Sequence, residues 1–95
     1  MSEYQVEVSA LAKEEIISIS LYLRNTLKNN LAANDFLTET YNKIQDLNFM
    51  PGRYPILSDS KKNIRKMSYI NFILIFEIKE SKVIVLRVFH SSKNY

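Results

Sequence analysis

His90 is the single imidazole in the chain, and imidazole is the one side chain whose unperturbed charge changes near neutral pH. Arg87 precedes it and Lys93 follows it, with Arg53 and Arg65 further upstream. An arginine fork fits a phosphate or a carboxylate with paired donors and keeps its charge throughout the physiological range. Tyr95 and Lys93 could each supply a proton. A base, forked cations and an acid are the groups that proton transfer around a phosphoryl centre requires. Without catalysis, Arg53, Arg65, Arg87, His90 and Lys93 would still offer a surface to an anionic partner. With no Cys and one His, the chain lacks the donors of a structural zinc site. No metal or cofactor is expected.

Each of these residues also has a plainer use. A histidine near a strand end often only closes local hydrogen bonds. Arg87, inside an apolar strand, could be an edge charge or pair with Glu77. Lys61 and Lys62 fall in a polar loop and are expected to be solvated. Strand geometry adds a constraint: residues three apart face opposite sides, so Arg87 and His90 converge only if the strand ends or bulges near Phe89.

The elements that must position these groups are legible in the pattern. Tyr4–Val8 alternates with period two and predicts a half-buried strand. Ser9 suits the N-cap of a helix from Ala10 to about Lys28, with Ala12, Ile16, Ile19, Leu23 and Leu27 as its apolar stripe. A second helix is predicted from about Leu31 to Leu47, burying Ala33, Phe36, Leu37, Tyr41, Ile44 and Leu47. Tyr22, Tyr41 and Phe36 are expected to pack rather than to stack on a base. Pro51-Gly52 then breaks the helical pattern, and three strand-like runs follow: Ile64–Tyr69, Phe72–Glu77 and Val83–Phe89. Their short connections favour an antiparallel meander. The expected fold is α+β, in the order β-α-α-β-β-β, with a helical hairpin on one face of a small, mainly antiparallel sheet. The continuous apolar run Phe72–Phe76 asks for cover on both faces. The hairpin supplies one, and the other face is expected to stay open and cationic for a partner.

At 95 residues the chain is read as a single domain with a modest core that a partner could reinforce. The polar, acidic start does not resemble a signal peptide, and the longest apolar run is far too short to span a membrane. A cytoplasmic location without membrane contact is expected. Charge is divided unevenly. Residues 1–50 hold four Lys/Arg against seven Asp/Glu, whereas residues 51–95 hold nine against three. That asymmetry points the second half toward an anionic partner, or else to solvated lysines protecting strand edges.

Several stretches carry a family resemblance. Ile84 to Phe89, followed by His90-Ser91-Ser92-Lys93-Asn94, resembles the C-terminal signature of RelE/ParE toxins: an apolar strand, Arg-Val-x-His, a small polar pair, and a basic–acidic ending. Lys93 stands in place of the usual Arg and Asn94 in place of the usual Asp. Pro51-Gly52-Arg53-Tyr54-Pro55 resembles the family's proline loop, Ile64-Arg65-Lys66 its arginine strand, and Asn71–Phe76 its aromatic strand, with Phe76 for the commoner Tyr. Arg65 and Lys66 must face opposite sides, and Arg65 is the one that matches.

The resemblance implies a bacterial type II toxin neutralised by a cognate antitoxin, which would also carry it to operator DNA. Two routes of action follow. A RelE-like toxin cleaves messenger RNA on the ribosome, without metal, and would use His90, Arg65, Arg87 and Tyr95. A ParE-like toxin poisons DNA gyrase and does no chemistry of its own. Ala32-Ala33-Asn34-Asp35-Phe36-Leu37 resembles the ParE-like second helix, and the slightly acidic stretch 10–50 makes a poor surface for ribosomal RNA. The gyrase-directed reading is therefore preferred, with the ribonuclease as alternative. A third reading, a non-toxic co-repressor that only binds its antitoxin, is compatible with Lys93, Asn94 and Phe76.

Overall fold

The computed structural model describes residues 3–57 and 62–92. Strand β1 (Gln5–Val8) leads into helix α1 (Ala10–Leu21), a π-helical turn (Tyr22–Thr26) and helix α2 (Asn30–Asp46). A 3-10 turn (Pro51–Arg53) precedes strands β2 (Asn63–Tyr69), β3 (Phe72–Lys79) and β4 (Lys82–His90). The sheet order is β1-β4-β3-β2. The last three strands form the expected antiparallel meander, and β1 lies parallel to β4 at the edge.

Local chemistry explains the element boundaries. Ser9 caps α1: its Oγ accepts from the Ala12 N–H at 3.1 Å and donates to the Leu86 carbonyl at 3.2 Å, tying the helix start to β4. The first helix departs from a single α-helix to Lys28. Past Leu21 it widens into a π turn, closed by Leu27 N–H to the Tyr22 carbonyl. The wider turn carries Leu27 out of the apolar stripe, and it is 53% exposed. Lys28, in the left-handed region, ends the helix, and Asn29 caps α2 through the Ala32 N–H.

In α2 the buried positions are Ala33, Phe36 and Thr40, and Tyr41 is 61% exposed. Thr40 takes the inward place expected of Tyr41 because its hydroxyl finds the buried Tyr69 hydroxyl at 2.7 Å. Phe36 packs on Phe72 at 4.6 Å between ring centroids, joining the helical layer to the sheet. Register places Phe72, Leu74 and Phe76 of β3 on the helix-covered face with Tyr69, Met67 and Arg65 of β2. Ile73, Ile75 and Glu77 lie on the reverse face.

Strand β4 carries the feature that matters most for the site. Phe76 pairs with Val85, but Ile75 pairs with Arg87, so Leu86 is an extra residue. Strict alternation from the buried Val83 and Val85 would send Arg87 under the helices. The bulge instead turns Leu86 and Arg87 toward the reverse face and returns Val88, fully buried, to the core.

Candidate functional site

Arg87 reaches the strand edge that β1 leaves unpaired after Val8. There, Glu15 of α1 accepts Arg87 Nε at 2.8 Å, with the guanidinium's second contact also at 2.8 Å. The other Glu15 oxygen accepts the Val88 backbone N–H at 2.8 Å. One partly buried carboxylate thus finishes the hydrogen-bond ladder and neutralises the arginine. The partner of Arg87 is Glu15, not Glu77. The guanidinium also lies over the Phe89 ring, 5.5 Å from its centroid.

His90 ends β4 opposite Phe72, on the helix-covered face, and meets that ring edge-on at 5.3 Å. Its Nδ1 accepts the Ser92 backbone N–H at 3.1 Å and lies 2.7 Å from the Ser92 hydroxyl. A backbone amide can only donate, so the ring proton of the neutral form belongs on Nε2. The bulge falls before Arg87 rather than near Phe89. Alternation from Arg87 to His90 is therefore uninterrupted, and the two occupy opposite faces.

Arg65 is placed differently from the expectation of an open cationic face. It shares the helix-covered side with Met67 and Tyr69, and its fork holds the loop before β2. Nη1 donates to the Gly52 and Tyr54 carbonyls and Nε to the Asn63 side chain. Lys66, its neighbour, faces the reverse side instead. Along β3, Arg65 is level with Phe76 and His90 with Phe72, about 13 Å apart along the strand direction alone. Arg53 lies in the same loop as the Arg65 contacts and stacks over Tyr54 at 5.0 Å. The structure thus brings Arg53 and Arg65 together at one end of the sheet, and leaves Arg87 and His90 on different faces toward the other. Lys93 and Tyr95 lie outside the described residues. Among the described residues, no three His, Asp or Glu side chains gather as a metal site would need.

A groove of about 850 Å³ opens between α1, its π turn and the end of β4. Leu11, Tyr22, Leu27, Phe72, Val88 and Phe89 give it an apolar floor and walls, with Glu14, Glu15 and His90 at polar positions. Tyr22 is 54% exposed there, because the π turn aims it outward.

A family model described as "ParE toxin of type II toxin-antitoxin system, parDE" matches residues 6–95. The chain belongs to the ParE toxin family. Among solved structures, this ParE-family chain is similar to one titled "Chromosomal ParDE TA system from P. aeruginosa", with a TM-score of 0.76 at 13% identity, covering 93% of this chain and 96% of that one. It is also similar to the toxin–antitoxin complex RelBE2 from Mycobacterium tuberculosis, with a TM-score of 0.69 at 18% identity, covering 98% and 97%. No curated protein matches the sequence. At these identities the structural likeness speaks for the fold.

Two parts of the candidate site were not predicted from the sequence. Glu15 was the first, although the acidic pair Glu14-Glu15, directly before Ile16 of the apolar stripe, is a visible signal. The groove was the second. Its signal is the pair of large side chains Leu11 and Tyr22, which fall outside the stripe that meets the sheet.

Proposed function

We propose that this ParE-family toxin inhibits DNA gyrase by binding, with no hydrolytic chemistry of its own, and is silenced by a cognate antitoxin. The observation that carries this reading is the dispersal of the candidate ribonuclease groups. A general base must stand within hydrogen-bond reach of the proton it removes and close to the cations that stabilise the developing charge. Here Arg65 is committed to loop carbonyls, Arg87 to Glu15 on the opposite face, and His90 to Ser92 at the far end of the sheet from Arg65. The match to the ParE family supports the gyrase direction.

The groove beside β4 is the proposed seat of an antitoxin segment. Both similar structures are titled as toxin–antitoxin systems or complexes, and exposed apolar walls of this size suit an amphipathic chain segment. Inducing the chain alone in bacteria tests the reading. Filamentation and a DNA-damage response, with protein synthesis continuing at first, are expected. Immediate translation arrest with cut messages would instead favour the ribosome-dependent ribonuclease.

A further inference from the structure

The stretch from Phe49 to Tyr54, which follows α2, is tied down by more contacts than a connection needs. Met50 sits in the left-handed region at φ 48° and is followed by the buried Pro51 at the start of the 3-10 turn. Arg65 fastens the Gly52 and Tyr54 carbonyls, and Arg53 donates to the Phe49 carbonyl at 3.4 Å and the Tyr54 hydroxyl at 3.1 Å. Tyr54 packs edge-on against the core residue Phe76. This frame holds apolar side chains in solvent, with Phe49 41% and Met50 58% exposed. Among the described residues, neither Arg53 nor Arg65 is paired with a carboxylate. Loops fixed by a scaffold and presenting apolar groups beside a cation are built for recognition.

We infer that the loop carrying Phe49, Met50 and Arg53 is the surface that engages the inhibited target, and that it takes an acidic protein surface with an apolar recess. This rests on the toxin reading above. The charge of the two guanidiniums calls for an acidic partner. A flexible methionine fills an apolar recess and cannot stack on a base, and one face of the Tyr54 ring is already covered by Arg53, so nucleic acid is the poorer fit. The loop stands at the β2 end that pairs Asn63 with Ile78, while the groove reaches Phe72. These ends lie about 20 Å apart along the sheet, so the loop can be altered without touching the groove.

The test is the double variant Met50→Asn with Arg53→Glu, since Asn tolerates the left-handed region. Purified DNA gyrase is the binding probe, growth arrest is scored in parallel, and circular dichroism with a urea midpoint reports the fold. At least a tenfold loss of gyrase binding and loss of arrest, with a native spectrum and cooperative unfolding, are expected. Unchanged binding or unchanged arrest in the folded variant overturns the inference, as does a defect confined to binding of double-stranded DNA. If the wild-type chain arrests growth without binding gyrase, the gyrase reading falls, and loss of arrest in the variant still upholds the loop. If the wild type does neither, both fall.

Discussion

Glu15 shows how one side chain can decide the state of a whole strand edge. Its two oxygens serve the Val88 N–H and the Arg87 guanidinium, so one carboxylate ties α1 to the open edge of β4. Glu15→Ala is expected to lower stability by about 1–3 kcal/mol, because it leaves the Val88 backbone donor without its acceptor. Glu15→Gln, which keeps one acceptor, should lose less, and urea unfolding measures both. Tyr69 makes a different kind of contribution. Burial raises its pKa to about 12, against the opposing hydrogen bond from Thr40 and with a smaller push from Glu39. The folded state therefore holds the phenolic proton more tightly than the unfolded state, whose value is 10.0. Stability from this group is complete below pH 10 and is lost as pH rises toward 12. Tyr69→Phe should be less stable at pH 7 by about 1–2 kcal/mol, since the buried Thr40 hydroxyl loses its partner. The gap between the two proteins should narrow as pH climbs from 10 to 12, in denaturation series at each pH. A constant gap would mean that Tyr69 titrates normally.

At the scale of elements, the bulge in β4 reconciles a charged residue with a buried strand. Deleting Leu86 would restore strict pairing with β3 while leaving Arg87 opposite Ile75 and Val88 opposite Leu74, so every downstream side chain keeps its face. The expected result is a variant that still unfolds cooperatively in urea. Loss of cooperative unfolding in that variant would show that the extra residue does more than set the phase of the strand. The β2–β3 turn offers a gentler test. Ile70 holds φ 50°, which a β-branched residue resists, and Ile70→Gly should gain about 0.5–1 kcal/mol despite the glycine's extra unfolded-state entropy. These two sites mark what patterning could and could not show. Alternation, helical spacing, Ser9 and Pro51-Gly52 were enough to give the order, the hairpin and the meander. An inserted residue leaves no mark in a continuous apolar run, because Val, Ile and Leu are acceptable on either face. The π turn was hidden for a similar reason, as Leu27 fits an α-helical stripe as well as an exposed wall. The candidate site was legible as a set of residue types. Its layout was not, since the faces of Arg65 and Arg87 depend on register and on Glu15, far away in sequence.

The groove and the Phe49–Met50 turn stand at opposite ends of one small sheet, with the core between them. A chain of 95 residues has little stability to spare, so a partner that fills the groove should change its unfolding markedly. Binding to the folded state alone adds about 2.7 kcal/mol at a free partner concentration one hundred times the Kd. In a domain of this size that corresponds to a rise in Tm of roughly 10–20 °C. Calorimetry of the toxin with increasing amounts of its antitoxin should show that rise, and Tyr22→Glu should abolish most of it by placing a charge on the apolar wall beside Glu14 and Glu15. The same substitution lies at the opposite end of the sheet from Met50 and Arg53, so growth arrest should persist and become resistant to the antitoxin. Arrest that Tyr22→Glu abolishes in a folded protein would show that target and antitoxin share the groove. The division of labour between the two ends would then be lost, with the target bound where the antitoxin binds and inhibition reduced to competition for one surface.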